Sequence, residues 1–288
     1  MDLAGKTAVV TGGASGIGRA IATEIIRGGG RVLIADIDQA RVEMAARELG
    51  ASAALCDVAD HTQVIALSKT AQDLFGTVDL VFANAGVSFS APLVDATPEA
   101  FDWVYGINLR GIWSTVSIFA KQMMGSQKDG RICITASEHA FGLQHTGAGF
   151  YTASKHGALG LAEIFRAELP KSISISVLCP GLAATSMHVS GLRAPGTAEG
   201  QAPSELAAAV LGKGMPAASI GKAAVEGTLR GDFLIVTHAI SVKAAQARWS
   251  EVDAAFRSQA PWEKDADRYD VNTVIAGVLA ELEGKTSA

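Results

Sequence analysis

The sequence predicts an α/β fold in which a doubly wound parallel sheet of about seven strands carries helices on both faces. Short runs rich in Val and Ile alternate with longer helical patterns, at the spacing of successive βαβ units. These runs are almost continuously apolar, which is typical of central strands buried on both faces. Because parallel crossovers are right-handed, the intervening helices are expected on both sides of the sheet.

The apolar runs give the expected order of the elements. Strands are predicted at Thr7–Thr11, Arg31–Ala35, Ala53–Cys56, Val78–Ala83, Arg131–Thr135, Ser174–Leu178 and Asp232–Thr237. Helices are predicted at Ile17–Arg27, Gln63–Phe75, Pro98–Met124, Tyr151–Glu168 and Ala239–Arg257.

Two regions depart from this alternation. Residues 186–226 are rich in Ala, Gly, Pro and Ser, and connections of such length are usually substrate loops or lids. The residues after the last helical pattern are more polar. We therefore expect one domain, residues 1–258, that includes the loop 186–226, followed by a polar C-terminal extension, residues 259–288.

Composition argues against several classes of protein. Of the 288 residues 49% are hydrophobic and 18% are charged, and the net charge is -5, which does not favour nucleic acid as a partner. The three cysteines lie far apart in apolar runs and predict neither a disulfide framework nor a metal site. No signal pattern or membrane span is recognisable. A soluble, cytoplasmic protein without a metal is expected.

A glycine-rich turn joins the first strand to the first helix. The segment Thr11–Gly18 reads TGGASGIG, and glycine at such a turn lets the backbone approach a pyrophosphate at a helix N-terminus. This makes the expected sheet Rossmann-like, although the spacing is G-x-x-x-G-x-G and not G-x-G-x-x-G. The alternative is a turn whose glycines serve close packing alone.

The end of the second strand indicates which dinucleotide the turn would bind. Asp36 lies about twenty residues beyond the turn, where an acidic side chain can bind the adenosine ribose hydroxyls. A carboxylate there repels the additional phosphate of NADP, and neither Ile37 nor Asp38 supplies a cation. NAD is therefore the expected cofactor. The alternative role for Asp36 is the N-cap of a following helix.

A phenol and an ammonium are spaced for proton transfer. Tyr151 and Lys155 are four residues apart, so a helix places them on one face, one turn apart. A free phenol titrates near pH 10, and a neighbouring cation is expected to lower its pKa toward the working range. With three tyrosines and eleven lysines in the chain, this pair is suggestive only in combination with other motifs.

The combination resembles the short-chain dehydrogenase/reductase family, from Lys6 to near Thr237. The resemblance rests on motifs in matching order along the chain. They are Thr11–Gly18, Asn84-Ala85-Gly86 after the fourth strand, Asn108 in the long helix, Ser137 after the fifth strand, Tyr151 with Lys155, and Pro180-Gly181 after the sixth strand.

The resemblance implies an NAD-dependent enzyme that interconverts an alcohol and a carbonyl compound. Tyr151 would move the alcohol proton, Ser137 would bind the substrate oxygen, and Asn108 would hold a water that relays protons from Lys155. The cofactor-binding residues it implies are Gly12, Ser15, Gly16, Ile17, Gly18, Asp36, Asp57, Val58, Asn84, Ala85, Gly86, Tyr151, Lys155, Pro180, Gly181 and Thr185. For Asp57, capping the next helix is an alternative.

The segment before Tyr151 departs from the family pattern. Ser137 precedes Tyr151 by fourteen residues, one more than the family leads us to expect. The intervening residues are rich in histidine and aromatic side chains, and loops carry specificity on a rigid scaffold. We hypothesise that His139, Phe141 and His145, together with Met187, border an apolar substrate bearing an aryl or alicyclic group. Phe89 and Phe150 belong to the same expected pocket, unless they are core residues.

The C-terminal sequence also departs from the pattern, since Gly231–His238 leads into a helical extension. A homodimer through the two long helices is the preferred assembly, and a homotetramer is the alternative. Three other functions stay open: a non-catalytic NAD-binding sensor, an NADP-dependent carbonyl reductase, and an isomerase or dehydratase that uses bound cofactor transiently.

Overall fold

A computed structural model describes residues 2–142, 145–197 and 204–286. Its central sheet has seven strands in the order β3-β2-β1-β4-β5-β6-β9, and all six pairings are parallel. The predicted doubly wound, Rossmann-like sheet is thereby confirmed. The chain reverses its direction of winding between β1 and β4, where such sheets form a crevice. The strands are β1 (Thr7–Thr11), β2 (Arg31–Asp36), β3 (Ser52–Leu55), β4 (Leu80–Ala83), β5 (Gly130–Thr135), β6 (Ile173–Cys179) and β9 (Leu234–Val236).

Helices cover both faces of this sheet. Those up to the sixth are α1 (Gly16–Arg27), α2 (Gln39–Leu49), α3 (His61–Phe75), α4 (Pro98–Tyr105), α5 (Gly111–Ser126) and α6 (Gly149–Glu168). Those beyond it are α7 (Met187–Ser190), α8 (Glu205–Gly212), α9 (Ala217–Arg230), α10 (Val242–Gln259) and α11 (Val271–Thr286). Helix α2 is not among the predicted helices, because its signals are short: a capping Asp38 and a left-handed Gly50 after its end.

Two hydrophobic clusters form the core, one on each face of the sheet. On one face Val64 of α3, Phe119 of α5 and Ala158 of α6 are fully buried. On the other face Ile21 of α1 and Ile220 of α9 are fully buried, and α1 lies along α9. The core therefore holds the sheet rigid beneath the loops that follow its strands.

The predicted long helix contains one irregular turn. Residues Gly106–Arg110 form a π-helical turn between α4 and α5, and Asn108 lies at its centre, fully buried. Such turns insert a residue into the helix and recur at functional sites. The predicted helix Pro98–Met124 is thus interrupted where it carries its polar side chain.

The predicted loop 186–226 is too long at its C-terminal end. Residues 217–226 belong to α9, where Ile220, Ala224 and Val225 are fully buried. The small side chains that suggest a loop here form the close-packed face of a helix. The preceding segment contains α7, α8 and a small parallel pairing of β7 (Ala183–Ala184) with β8 (Met215–Pro216), while residues 198–203 lie outside the described residues.

The chain divides into two compact units, residues 1–244 and 245–288. The division lies within α10, earlier than the expected boundary at 258/259, because none of the residues of that helix is buried. The C-terminal unit also differs from the expected polar extension, since it contains α11. That helix exposes apolar residues that include Val274, Val278 and Leu282.

Candidate active site

The glycine turn after β1 has the backbone shape that the sequence predicts. Gly12 and Gly16 have φ of +63° and +52°, a region that glycine enters without strain. A Cβ on Gly18 would lie 2.2 Å from the carbonyl oxygen of Gly12, so this glycine serves close packing of helix against strand. Ser15 precedes α1 without a side-chain cap, and Ile17 behind it is buried. The first amide groups of α1 thus have no capping side chain, and such a helix start can bind an anion.

Asn84 and Thr11 join this turn to the loop after β4. The Asn84 amide donates to the Thr11 carbonyl at 3.1 Å, and the Thr11 hydroxyl accepts from the backbone amides of Asn84 and Ala85. A Cβ on Gly86 would lie 3.4 Å from Lys155 Nζ. The Asn84–Gly86 segment therefore forms a polar surface between the glycine turn and the predicted catalytic residues.

Asp36 is bound to the glycine turn and does not cap a helix. Its carboxylate accepts from the amides of Ala14 and Asp38, both at 3.3 Å. The N-cap of α2 is Asp38, whose side chain accepts from the amide of Arg41. The capping alternative for Asp36 is therefore wrong, and its carboxylate stays beside the first turn of the dinucleotide crevice.

Asp57 and Val58 lie in the loop after β3. The Asp57 carboxylate accepts from the Ala59 amide at 2.9 Å, and the N-cap of α3 is Asp60. The capping alternative for Asp57 is thus also wrong. The Val58 side chain is buried against Gly111 of α5, where a Cβ would lie 2.8 Å from it. Only the backbone of Val58 is therefore placed to face a ligand.

Asn108 is the centre of a buried hydrogen-bond network. Its Oδ1 accepts from the Val87 amide at 2.8 Å, and its Nδ2 donates to the Val87 carbonyl at 2.9 Å and to Ser154 Oγ at 3.1 Å. The π-helical turn points this side chain inward, and the network joins α6 to the loop after β4. The predicted proton relay through a water stays a prediction.

Ser137 follows β5 and lies beside Tyr151. Its hydroxyl donates to the Pro180 carbonyl at 3.4 Å and accepts from the His139 amide at 3.3 Å. Both distances are at the long end for hydrogen bonds, so a substrate oxygen could compete for the hydroxyl. The Ser137 hydroxyl is also close enough to Tyr151 to act on the pKa of the phenol, which it lowers.

Tyr151 and Lys155 lie in the first turns of α6, and Lys155 is almost fully buried. The Lys155 ammonium lies 5.5 Å from the centre of the Tyr151 ring and donates to the Thr135 carbonyl at 3.0 Å. In the described part of the chain no carboxylate lies within ion-pair distance of it. Further donors of this buried cation remain for a ligand.

Burial dominates the titration of this pair. It lowers the pKa of Lys155 to about 8, because the charged form loses hydration. Burial also raises the pKa of Tyr151, against a hydrogen bond with Ser137 that lowers it, and the charge of Glu138 adds to the rise. In the chain by itself the net shift of the phenol pKa is therefore upward. The expectation that Lys155 depresses this pKa stays a prediction.

The loop after β6 crosses toward the glycine turn. A Cβ on Gly16 would lie 3.3 Å from the Thr185 side chain, so Thr185 closes the crevice opposite α1. The Thr185 hydroxyl accepts from the Met187 amide at 3.4 Å, and the Met187 carbonyl accepts from Ser88 and Ser190. Pro180 accepts from the Glu138 amide at 2.9 Å. These contacts hold the predicted residues Pro180, Gly181 and Thr185 along one side of the crevice.

The predicted substrate residues do not all lie together. The buried His139 ring packs edge-on against the Tyr151 ring, at 5.2 Å between centroids. The exposed His145 ring packs edge-on against His139, at 4.8 Å between centroids. Phe141 packs against the hydrophobic core, which favours a structural role. Phe89 and Phe150 stack at 6.1 Å, and Phe150 also contacts Phe101 and Tyr105. Of the predicted substrate residues, His139 is thus the one with a described contact to Tyr151, the predicted proton donor.

Two polar residues that position this site, Thr135 and Thr152, are not among the predicted residues. Thr135 binds both Lys155, through its carbonyl, and Asn84, through its hydroxyl at 3.1 Å. Thr152 binds His139 Nδ1 at 2.8 Å. Their signal is the position next to the predicted residues, since Thr135 ends β5 and Thr152 follows Tyr151. Neither has a spacing that marks it by itself.

The residues present fit a nicotinamide dinucleotide. The glycine turn has the backbone room for a pyrophosphate, Asp36 can accept from ribose hydroxyls, and the buried Lys155 ammonium has donors left for a second ribose. Among the described residues, no group of three or more His, Cys, Asp or Glu side chains could hold a metal ion. In the same residues, no helix is long and apolar enough to cross a bilayer.

Fold and crevice define a dinucleotide-binding oxidoreductase, and comparison with known proteins identifies the family. The model of the short chain dehydrogenase family matches residues 6–194, so the chain belongs to this family. It is an oxidoreductase of the kind that acts on alcohol or carbonyl groups of small molecules.

Particular relatives agree with this assignment. The 1-deoxy-11-beta-hydroxypentalenate dehydrogenase of Streptomyces exfoliatus is 36% identical over 211 residues, which are 69% of this chain and 75% of that protein. A short chain dehydrogenase/reductase from Burkholderia phymatum in complex with NAD has a TM-score of 0.81 at 28% identity, over 91% of this chain and 99% of that one. An alcohol dehydrogenase from Thermococcus sibiricus complexed with 5-hydroxy-NADP has a TM-score of 0.67 at 27% identity, over 82% and 97% of the two chains.

Proposed function

We propose that this protein is an NAD(H)-dependent dehydrogenase that interconverts a secondary alcohol and a ketone, with Tyr151 as the acid/base. One observation carries the proposal: Ser137, Tyr151 and the buried Lys155 ammonium lie together beside the glycine turn. A non-catalytic sensor would have no use for this set. A bound nicotinamide accepts or supplies the hydride.

The chain's own residues supply orientation and proton transfer. In the reducing direction the Tyr151 hydroxyl donates its proton to the carbonyl oxygen, and in the oxidising direction the phenolate takes the alcohol proton. The Ser137 hydroxyl donates to the same oxygen and fixes the reacting carbon. Lys155 would hold a ribose hydroxyl of the cofactor, and Asn108 fixes the loop after β4.

The preference for NAD is supported by Asp36. Its carboxylate is held at the end of β2 by the amides of Ala14 and Asp38, where it would repel a 2′-phosphate. Arg41 and Arg193 lie close by, but both pair with Asp38, at 3.2 and 3.4 Å. The alternative of an NADP-dependent reductase would require one of these arginines to leave Asp38.

The nature of the substrate is supported by the aromatic side chains near Tyr151. His139 contacts the Tyr151 ring, and Phe89 and Phe150 stack close to the start of α6. These aromatic side chains favour a bulky aryl or alicyclic alcohol over a sugar, because sites for such ligands are lined mainly by apolar and aromatic groups.

The experiment is an absorbance screen at the reduced-nicotinamide band, with aryl and alicyclic secondary alcohols and with NAD and NADP in parallel. We expect turnover with NAD, and a Tyr151→Phe variant that loses about 10²- to 10⁴-fold in kcat. NADH affinity of that variant should change little, because the substitution removes only the hydroxyl. Full activity of the variant, or NAD binding without turnover of any alcohol, would contradict the proposal.

A further inference from the structure

The imidazole of His238 joins the segment after β9 to the loop after β6. Its Nδ1 lies 3.0 Å from the Gly181 amide nitrogen, and its Nε2 lies 3.0 Å from the Leu182 carbonyl oxygen. An amide can only donate and a carbonyl can only accept, so Nδ1 accepts and Nε2 carries the proton. The Thr237 hydroxyl, 2.8 Å from Nδ1, can donate to it in the same tautomer. The two ring nitrogens therefore bind the backbone of two consecutive residues while the ring is neutral.

The same stretch of backbone is packed tightly from two sides. A Cβ on Gly181 would lie 2.6 Å from His238 Cγ and 2.8 Å from Glu138 Oε2. The Glu138 carboxylate in turn accepts from Ser241 Oγ at 2.5 Å. Glycine is thus required where the loop meets the imidazole, and the loop after β6 has little room to shift.

This loop leads directly to residues of the candidate active site. Pro180 accepts from Ser137 Oγ, and Thr185 lies against Gly16 across the crevice. The contact of His238 with Gly181 and Leu182 therefore helps to fix the path of the loop, together with the Met215 amide, which donates to the Leu182 carbonyl at 2.8 Å. Asp36 belongs to the other end of the crevice, because it ends β2, which is separated from β6 by β1, β4 and β5.

On the basis of the proposed function, we infer that His238 is a positioning residue for the nicotinamide end of the cofactor site. It acts through the Gly181–Leu182 backbone and touches neither Tyr151 nor Lys155 in the described contacts. Loss of the His238 side chain should therefore weaken binding of the nicotinamide end of the cofactor and leave binding of the adenosine end unchanged. The reason is that preorganisation of a loop contributes affinity only to the groups that the loop contacts.

The test compares two ligands in His238→Ala, in His238→Asn and in the wild type. NADH reaches both ends of the crevice, and ADP-ribose lacks the nicotinamide. We expect the Ala variant to bind NADH about tenfold more weakly or worse, and ADP-ribose within about twofold of the wild type. The Asn variant should recover most of the NADH affinity, because its amide oxygen can replace Nδ1 as the acceptor for Gly181.

Hydrogen exchange without ligand gives an independent readout. In the Ala variant, exchange should accelerate in peptides that cover residues 180–185 and not in those that cover β2. His61→Ala is the matched control, since its ring binds Ser114 and Trp113 at a different place.

Several outcomes would overturn the inference. They are equal losses for both ligands, unchanged NADH affinity in the Ala variant, or no rescue by Asn. If the wild type binds neither NADH nor NADPH, the proposed function fails as well; the exchange data then show separately whether His238 holds the loop.

Discussion

The side chain of Asn108 and the backbone of Val87 exchange two hydrogen bonds, at 2.8 and 2.9 Å. This pairing resembles a step of a β-ladder, but one partner is an amide side chain that a π-helical turn directs inward. It fixes the loop that follows β4, which forms the floor between the glycine turn and Lys155.

Removal of the Asn108 amide should therefore destabilise the protein. Asn108→Ala leaves the part-buried Val87 amide and carbonyl without these partners, and a buried group left in this way costs about 1–3 kcal/mol. We expect a loss of roughly 2–4 kcal/mol in the free energy of unfolding, measured by urea denaturation.

Ser154→Ala is the matched control for Asn108, because it removes one partner of the amide and leaves both bonds to Val87. It should cost about 1 kcal/mol. Equal losses in the two variants would contradict the special role of the Val87 pairing.

Lys155 should destabilise the protein without cofactor below about pH 8. Its folded-state pKa is about 8 and its ordinary value 10.5, so the unfolded chain binds more protons between these values. Stability from this group is complete above pH 10.5 and is lost as the pH falls through 8. At pH 7, Lys155→Met should therefore raise the unfolding free energy by up to roughly 3 kcal/mol.

The advantage of Lys155→Met should shrink as the pH rises from 8 to 10, in urea melts of the protein without cofactor. Lys171→Met, at an exposed position, is the control and should show no such trend. The same Lys155 variant should bind NADH more weakly. If Lys155→Met were less stable than the wild type at pH 7, the charged ammonium would not destabilise the folded protein at that pH.

The sequence was sufficient for the sheet because its strands are nearly uninterrupted apolar runs, such as Val9 and Val10 in β1 and Ile132 and Ile134 in β5. It was also sufficient to predict that a helix carries Tyr151 and Lys155. The sequence did not show that residues 217–226 form a helix, because small side chains such as those of α9 are found both in loops and in close-packed helices. The partner helix α1 decides between them, and it is distant in sequence.

The remaining features of the site depend on tertiary contacts. The N-cap of α2 is Asp38 and not Asp36, because the pairing of β2 with β3 extends the strand through Asp36. The contact of His238 with Gly181 spans 57 residues and has no local spacing. Burial raises the pKa of Tyr151, and burial at this position has no local signal in the sequence.

Asp36 should determine the choice of dinucleotide. Asp36→Ser removes the carboxylate that we propose to bind the adenosine ribose. Arg41 and Arg193 lie near Asp38, where they could attract a phosphate. We expect the ratio of kcat/KM with NADP to that with NAD to rise about tenfold or more, since one removed charge repulsion is worth at least about 1.4 kcal/mol in such a site.

The control for Asp36 is Asp38→Asn, which keeps an acceptor for the Arg41 amide and so preserves the helix cap. It removes the charge that binds Arg193 and leaves Asp36 in place. NAD should stay the preferred cofactor of this variant. A switch toward NADP in Asp38→Asn alone would assign the selection to the arginines.

His139 should make the protein sensitive to acid. Burial, together with the charges of the nearby His145, His156 and Lys155, lowers its pKa from 6.5 to about 4. The folded state thus keeps the ring neutral while the unfolded chain takes up a proton. Stability from this group is complete above pH 6.5 and is lost as the pH falls toward 4. The melting temperature of the wild type should fall between pH 7 and 5.

The melting temperature of His139→Asn should fall less between pH 7 and 5 than that of the wild type. The Asn amide can still bind the Thr152 hydroxyl, but it does not titrate. His145→Asn, at the exposed neighbour, is the control and should follow the wild type. The two variants also test the substrate hypothesis: a changed KM for a bulky alcohol with His139→Asn, at unchanged NADH affinity, would place this ring against the substrate. Unchanged kinetics with the altered pH response would restrict His139 to support of Tyr151.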